Sequence, residues 1–261
     1  MLGWLRQWRQ RRFERRVAAS RPDPGLMKRI IDAFPVLQRV DQACLERRVS
    51  EILAEKSFQP AADLVLEEGD RLAIAALAAL PILELGIDCY RNFHTIIVYP
   101  AGFVADVEEV DEAGVMHTGR DLRSGEAWAH GPVVLALDDV LASGQGEGFN
   151  VVVHEMVHQI DQINGDMDGF PPLRRGMDPQ RWARVFTAGF ERLNHELDTG
   201  QDPSIDPYAA ESPAEFLAVA SEFYFDVPEY LHDTYPEVYR ELEALFGEPG
   251  RREAGGVRRE A

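Results

Sequence analysis

Hydrophobic residues recur at helical spacing along most of the chain, and β-branched runs interrupt this pattern at two places. After a break at "RPDPG", apolar positions from Val40 to Leu53 follow helical spacing, and "DRLAIAALAAL" predicts a further helix that ends at Pro81. The runs "HTIIVYP" and "GPVVLALDDV" are short, β-branched and bounded by proline or glycine, which predicts two buried strands. Between them, "GVMHTGRDLRSG" predicts an irregular hairpin.

The second half of the chain is mainly helical. A glycine-rich loop leads into "VVVHEMVHQIDQIN", whose apolar residues predict a helix with a mostly buried face. Beyond the long loop "GDMDGFPPLRRGMDP", we expect helices over about 179–197, 213–225 and 229–246, the last one with breaks. The pattern predicts an α+β fold dominated by helices, with a small sheet beside the helix that carries "HEMVH".

Charge divides the chain into an arm, a body and a tail. The net charge is −18, but residues 1–22 hold seven arginines and one glutamate, so the rest carries −24. We expect a basic amphipathic arm over 1–22, a single domain over 23–246 and a disordered tail over 247–261. Because phosphate binding needs a basic surface, the acidic body excludes nucleic acid as a direct partner.

The arm interleaves Trp4, Trp8 and Phe13 with its arginines. We expect it to form a solvated helix that packs its aromatic residues on the acidic body. A weak contact with a membrane surface is the alternative interpretation.

Other signals favour the cytoplasm. No apolar stretch reaches the roughly 18 residues that suggest a membrane span, and the N-terminus lacks the apolar core of a secretory signal. Cys44 and Cys89 are the two cysteines. We expect both to be buried free thiols in a reducing compartment.

The strongest chemical signal is the sequence "HEMVH", in which Glu155 follows His154 and His158 lies four positions beyond the first histidine. On a helix, positions i and i+4 project from one face, so two imidazoles can bind one Zn²⁺. The glutamate then faces a metal-bound water, as in HExxH peptidases. Two buried histidines beside a carboxylate are costly without a shared partner, so we favour a metal site over a pair of core histidines.

A third protein ligand must come from elsewhere in the chain. Residue 164 is Asn164, so the third histidine of a metzincin is absent. Asp161 is better placed to orient a histidine or to form a salt bridge at the helix end. Glu215 and Glu222 are seven positions apart and share a helical face, so periodicity leaves both open. Ser212 three positions before Glu215 also fits a capping box, which by itself accounts for that glutamate.

Four segments resemble the Mlc titration factor A family of bacterial zinc peptidases. They span about 80–235 and read "LPILELGIDCYRNFHTIIVYPAGFV", "GPVVL", "GFNVVVHEMVHQIDQINGD" and "DPYAAESPAEFLAVASEFYF". The resemblance implies one zinc ion per chain, held by His154, His158 and Glu215, with Glu155 as general base and Tyr208 near the metal. It also implies a zincin-like (gluzincin-like) fold, similar in its catalytic region to anthrax lethal factor, with a small mixed sheet.

The same resemblance implies aminopeptidase-type hydrolysis of short peptides and binding of a transcriptional repressor similar to Mlc. The alternative is a non-catalytic regulatory protein that sequesters a transcription factor, with a vestigial or regulatory zinc site. Both chain ends depart from the family pattern. A further hypothesis is that residues 133–137 form an edge strand to which an extended peptide substrate adds.

Overall fold

The computed structural model describes residues 2–110, 116–123, 125–127 and 131–248, without the side chains of residues 2, 3, 5, 103–110, 116–123 and 125–127. Its helices are α1 Leu2–Ala19, α2 Pro24–Ala33, α3 Gln42–Glu55, α4 Glu68–Ala79, α5 Leu137–Ala142, α6 Val151–Asp161, α7 Pro179–Asp198, α8 Pro213–Asp226, α9 Pro228–Thr234 and α10 Pro236–Phe246. Its strands are β1 Ser57–Pro60, β2 Thr95–Tyr99, β3 Phe103–Val110, β4 Met116–Arg123, β5 Gly125–Ala127 and β6 Val133–Ala136.

The sheet is small and mixed. Its strand order is β1-β2-β6-β5, with β1, β2 and β6 parallel and β5 antiparallel to β6. Strands β3 and β4 form a separate antiparallel pair. The expected α+β, helix-dominated zincin-like fold is therefore confirmed.

The position of β6 contradicts the strand-addition hypothesis. This strand pairs with β2 on one side and β5 on the other, so it is internal to the sheet rather than at its edge. Its backbone hydrogen-bonding groups are used by both neighbours and are not open to a peptide. The strand also ends at Ala136, because Leu137 begins α5.

Helix α6 lies at the centre of the molecule. Every residue from Val151 to Asp161 is buried, and the helix packs against α4 and α8. Asn150 caps its N-terminus, since its side-chain oxygen accepts the Val153 N–H at 3.1 Å. The helix that carries the HExxH sequence is therefore fully buried and packed against two other helices.

The N-terminal arm is helical, but its tryptophans do not pack on the body as expected. Arg16 joins α1 to α3 through an ion pair with Glu55 at 3.2 Å and a hydrogen bond to the Ala54 carbonyl. Trp4 and Trp8 are 70% and 49% exposed. The expectation is therefore wrong for the two tryptophans, whereas Phe13 is partly buried. Among the described residues, no helix has the length and apolarity needed to span a membrane.

Both cysteines are free, and each is partly buried. The thiol of Cys44 donates to the Leu83 carbonyl at 3.2 Å. At the other end of the chain, residues 249–261 of the expected tail lie outside the described residues.

The long loop after α6 is anchored at Gly169. Its N–H donates to Asp161 Oδ2 at 2.8 Å, and its carbonyl accepts from Trp182 Nε1 at 3.0 Å. Among the described residues, Asp161 thus forms a hydrogen bond with the loop and none with a salt-bridge partner or a histidine. Burial of this carboxyl raises its pKa to about 6. Gly169 has a φ of +78°, and a Cβ there would lie 2.6 Å from the carbonyl oxygen of Pro213.

Gly169→Ala is expected to lower the free energy of unfolding by about 2–5 kcal/mol, because it combines a left-handed backbone with an overlap that backbone atoms cannot relieve. Gly200→Ala is the matched control: its φ is +69°, but in the part of the chain that the structure describes a Cβ there meets no atom within 4 Å. It should cost about 1–2 kcal/mol. Urea unfolding of both variants measures the difference. Equal losses would show that the contact with Pro213 does not constrain the loop.

Candidate metal centre

Helix α6 brings His154 and His158 together one turn apart. Their ring centroids are 4.8 Å apart, with the ring planes at 82°. The two Nε2 atoms are separated by 3.1 Å. Both side chains are buried, so the pair of nitrogens faces a common interior point.

Glu215 supplies a third atom from the first turn of α8. Ser212 caps this helix by accepting the Glu215 N–H at 3.2 Å, which is one half of the expected capping box. The glutamate side chain reaches the histidines instead: its Oε2 is 2.9 Å from His154 Nε2 and 3.3 Å from His158 Nε2. The cap therefore fixes the backbone and leaves the carboxylate available for the histidines.

These three atoms fit a shared metal ion. His154, His158 and Glu215 each offer one ligand atom, and these atoms all lie within 4.8 Å of one another. Tetrahedral ligands at 2.0–2.1 Å from a metal are about 3.3 Å apart, which is close to the observed separations of 2.9, 3.1 and 3.3 Å. Glu215 Oε2 is buried, and neither of its histidine contacts has hydrogen-bond geometry. Two imidazoles and one carboxylate suit a divalent transition metal and leave a coordination position open.

The charges in this cluster depend strongly on one another. Burial alone would lower the pKa of His154, but the nearby carboxylates of Glu215 and Glu222 outweigh this effect, and the pKa lies well above its ordinary value. Burial would raise the pKa of Glu215, but contacts with His154 and His158 lower it. Protons and a metal therefore compete for the same atoms, and metal affinity should fall as the pH decreases.

Glu222 lies on the other side of the His154 ring. Its Oε1 is 2.8 Å from His154 Nδ1, and its Oε2 accepts the Asn150 N–H at 2.5 Å. The two glutamates that periodicity left open thus contact opposite nitrogens of one imidazole. Glu215 and His158 lie at the Nε2 side of the His154 ring, and Glu222 lies at its Nδ1 side.

Glu155 and Tyr208 flank this cluster. Glu155 is 4% exposed and neighbours His154 on α6. Tyr208 is 46% exposed, and its ring centroid is 5.9 Å from that of His154. The tyrosine lies in a 3₁₀ turn, Pro207–Ala210, where Asp206 accepts its backbone N–H at 2.9 Å. One buried acid and one partly exposed phenol are therefore close to the first histidine.

Sequence reasoning missed Asp226 at the end of α8. It is 1% exposed and accepts backbone N–H groups from Gly146 at 3.0 Å and Gly148 at 2.7 Å. A Cβ on Gly148 would lie 2.8 Å from the Phe223 ring, so the glycine-rich loop packs closely on α8. The sequence signal for Asp226 was its spacing: Glu215, Glu222 and Asp226 are seven and four residues apart in an otherwise mainly apolar helix, which places them on one face.

Comparisons with known proteins indicate a family of metallopeptidases. The sequence pattern of the family described as "Glucose-regulated metallo-peptidase M90" matches residues 5–247. A relative from Serratia proteamaculans (strain 568), "Mlc titration factor A", is 39% identical over 220 residues, which cover 82% of this chain and 84% of the relative. Proteins of the same name from Cronobacter sakazakii (34% identical, 88% of both chains) and Yersinia enterocolitica (37% identical, 85% and 86%) are similar.

Proposed function

Because this chain belongs to the M90 family of glucose-regulated metallopeptidases, we propose that it is a zinc-dependent peptidase with aminopeptidase-type activity on short peptides. The observation that carries the proposal is the convergence of His154 Nε2, His158 Nε2 and Glu215 Oε2 within 3.3 Å of one another. Glu155 is adjacent to this cluster, as a general base requires. Three protein ligands with a fourth position open are typical of catalytic rather than structural zinc.

His154, His158 and Glu215 would hold one zinc ion per chain. When bound, zinc lowers the pKa of a coordinated water toward about 7 and polarises a carbonyl group. Glu155 accepts a proton from the attacking water and then passes it to the nitrogen of the leaving amine. The Tyr208 hydroxyl donates a hydrogen bond to the carbonyl oxygen as negative charge develops there. Its partial exposure and its distance of 5.9 Å from the His154 ring support this role.

Charge supports a preference for free amino termini. The chain carries −24 outside its first 22 residues, and an acidic surface raises the local concentration of a positively charged peptide end. The free thiols of Cys44 and Cys89 favour a reducing compartment such as the cytoplasm. Short cytoplasmic peptides are therefore the substrates that we expect.

The test is metal analysis combined with hydrolysis of a library of aminoacyl and short-peptide substrates. We expect one zinc per chain and turnover that disappears after chelation and returns when zinc is added. Blocking the amino terminus of a good substrate should abolish its cleavage. Turnover that survives complete metal removal would contradict the zinc mechanism, and equal cleavage of blocked peptides would contradict the aminopeptidase assignment.

The relatives' name supports a second candidate function, namely binding of a transcriptional repressor similar to Mlc. In this alternative the protein sequesters the repressor, and the zinc site is vestigial or regulatory. One zinc per chain without turnover on any library member would favour this candidate. Co-purification with a repressor from the same genome would then test it directly.

A further inference from the structure

Helix α8 presents three acids along one face. Glu215, Glu222 and Asp226 are spaced by seven and four residues, which places them on the same side of a helix. Glu222 and Asp226 are 5% and 1% exposed. Each contacts a different part of α6 or of the loop that leads into it. Buried carboxylates are costly unless they are hydrogen-bonded, so specific contacts must account for each one.

Glu222, the middle acid, contacts both the ring of His154 and the backbone at the start of α6. Glu222 Oε1 contacts His154 Nδ1 at 2.8 Å, while Oε2 accepts the N–H of Asn150 at 2.5 Å. Asn150 is the N-cap of α6, so one carboxylate links the start of the helix to the ring four residues later. An ionised carboxylate only accepts hydrogen bonds, so His154 Nδ1 must donate. In the neutral ring the proton therefore stays on Nδ1, and the Nε2 lone pair is available to a metal on the side of His158 and Glu215.

We propose that Glu222 is a positioning residue that fixes the orientation and tautomer of His154, so that Nε2 is available to a metal. This inference rests on the proposed function, because it takes His154 to be a ligand. Metal-bound histidines commonly donate their second ring nitrogen to a carboxylate, and losing that partner typically lowers metal affinity by about 10–100-fold.

The two histidines differ in this respect. His158 Nδ1 is buried, and within the part of the chain that the structure describes it has no hydrogen-bond partner. The orientation of the pair therefore depends on the one ring that Glu222 holds. Removing the carboxylate would free the His154 ring to turn and would leave His158 without a fixed neighbour.

The experiment measures zinc affinity by competition with a chromophoric chelator for four variants and the full-length native protein. Glu222→Gln keeps the size of the side chain but replaces one oxygen with an –NH₂ group. Either the Asn150 N–H or the His154 Nδ1–H must then face another donor. Asp226→Asn is the matched control, since it removes a buried charge from the same helix face without touching a histidine. Glu215→Gln serves as the reference for loss of a ligand.

Glu222→Gln should bind zinc about 10–100-fold more weakly than the native protein. The zinc affinity of Asp226→Asn should stay within about threefold of the native value. Glu215→Gln should bind zinc more weakly than either variant. Glu222→Asp, which retains an acceptor, should recover part of the loss. With Co²⁺ in place of zinc, the visible spectrum should change in Glu222→Gln and stay native in Asp226→Asn. Circular dichroism of the metal-free variants checks that each is folded.

Native affinity in Glu222→Gln, or equal weakening in Glu222→Gln and Asp226→Asn, would overturn the positioning role. If Glu222→Gln does not fold, the same comparison of Glu222→Asp with Asp226→Asn decides the question. A native protein that binds zinc but hydrolyses no peptide would contradict only the peptidase proposal. A native protein that binds no zinc would overturn both.

Discussion

Glu155→Gln is expected to reduce peptide hydrolysis by about 10²–10⁴-fold, the range that a general base contributes, while the zinc content stays at one per chain. Glutamine matches glutamate in size but cannot take a proton from water. Glu155 is not among the three residues that form the candidate metal site. Its loss should therefore remove the proton transfer without removing a ligand. The measurement is kcat/KM on the best library substrate, together with zinc analysis of the same sample.

Glu147→Gln is the matched control, because it neutralises an exposed glutamate in the loop just before α6. It should retain native turnover. Turnover in Glu155→Gln within threefold of native would exclude this residue as the base. Simultaneous loss of zinc would show that the glutamate supports the metal rather than the proton transfer. If the protein also sequesters a repressor, that binding should survive in Glu155→Gln.

Tyr208→Phe is expected to lower kcat by about 10²–10³-fold, the typical cost of removing one hydrogen-bond donor to a developing oxyanion. The hydroxyl interacts with charge that exists only in the transition state, so KM should change little. The aromatic ring beside His154 remains, and so does the backbone hydrogen bond to Asp206. Steady-state kinetics of the zinc-loaded variant measures kcat and KM separately and so tests whether only kcat falls.

Tyr230→Phe provides the control for loss of a tyrosine hydroxyl. Tyr230 is 48% exposed, close to the 46% of Tyr208, and its hydroxyl donates to the Ser204 carbonyl at 2.7 Å. It should leave kcat unchanged. An increase in KM with native kcat in Tyr208→Phe would reassign this tyrosine to substrate binding.

Periodicity alone predicted most helices, because their buried faces are formed by apolar residues close together in sequence. The expected helices over 179–197 and 213–225 correspond to α7 and α8 within one residue at each end. Strand β1 escaped prediction: "SFQP" contains two polar residues and a proline, and its strand conformation depends on pairing with β2, almost forty residues away. Sheet order is likewise non-local, which explains why β6 was wrongly expected at an edge.

Within the site, the HExxH sequence predicted which histidines would meet, since i and i+4 contacts are local. The choice between Glu215 and Glu222 was not local. Both lie on one face of α8, and only the packing of α8 against α6 decides which one reaches Nε2 and which one reaches Nδ1. The role of Asp161 was ambiguous for the same reason. Its partner is the backbone of a loop, and the path of a loop cannot be predicted from hydrophobic periodicity.

The row of acids on α8 limits how the length of the chain can vary. Glu215 and Asp226 are eleven residues apart, or about 16 Å along a helix, and over that distance they meet the histidines at one end and the glycine-rich loop at the other. A single residue inserted between Glu215 and Glu222 would rotate everything beyond it by about 100°. The contacts with His154, Asn150 and the loop would then be lost together. Insertions and deletions are therefore expected to be tolerated in the surface loops but not within α8.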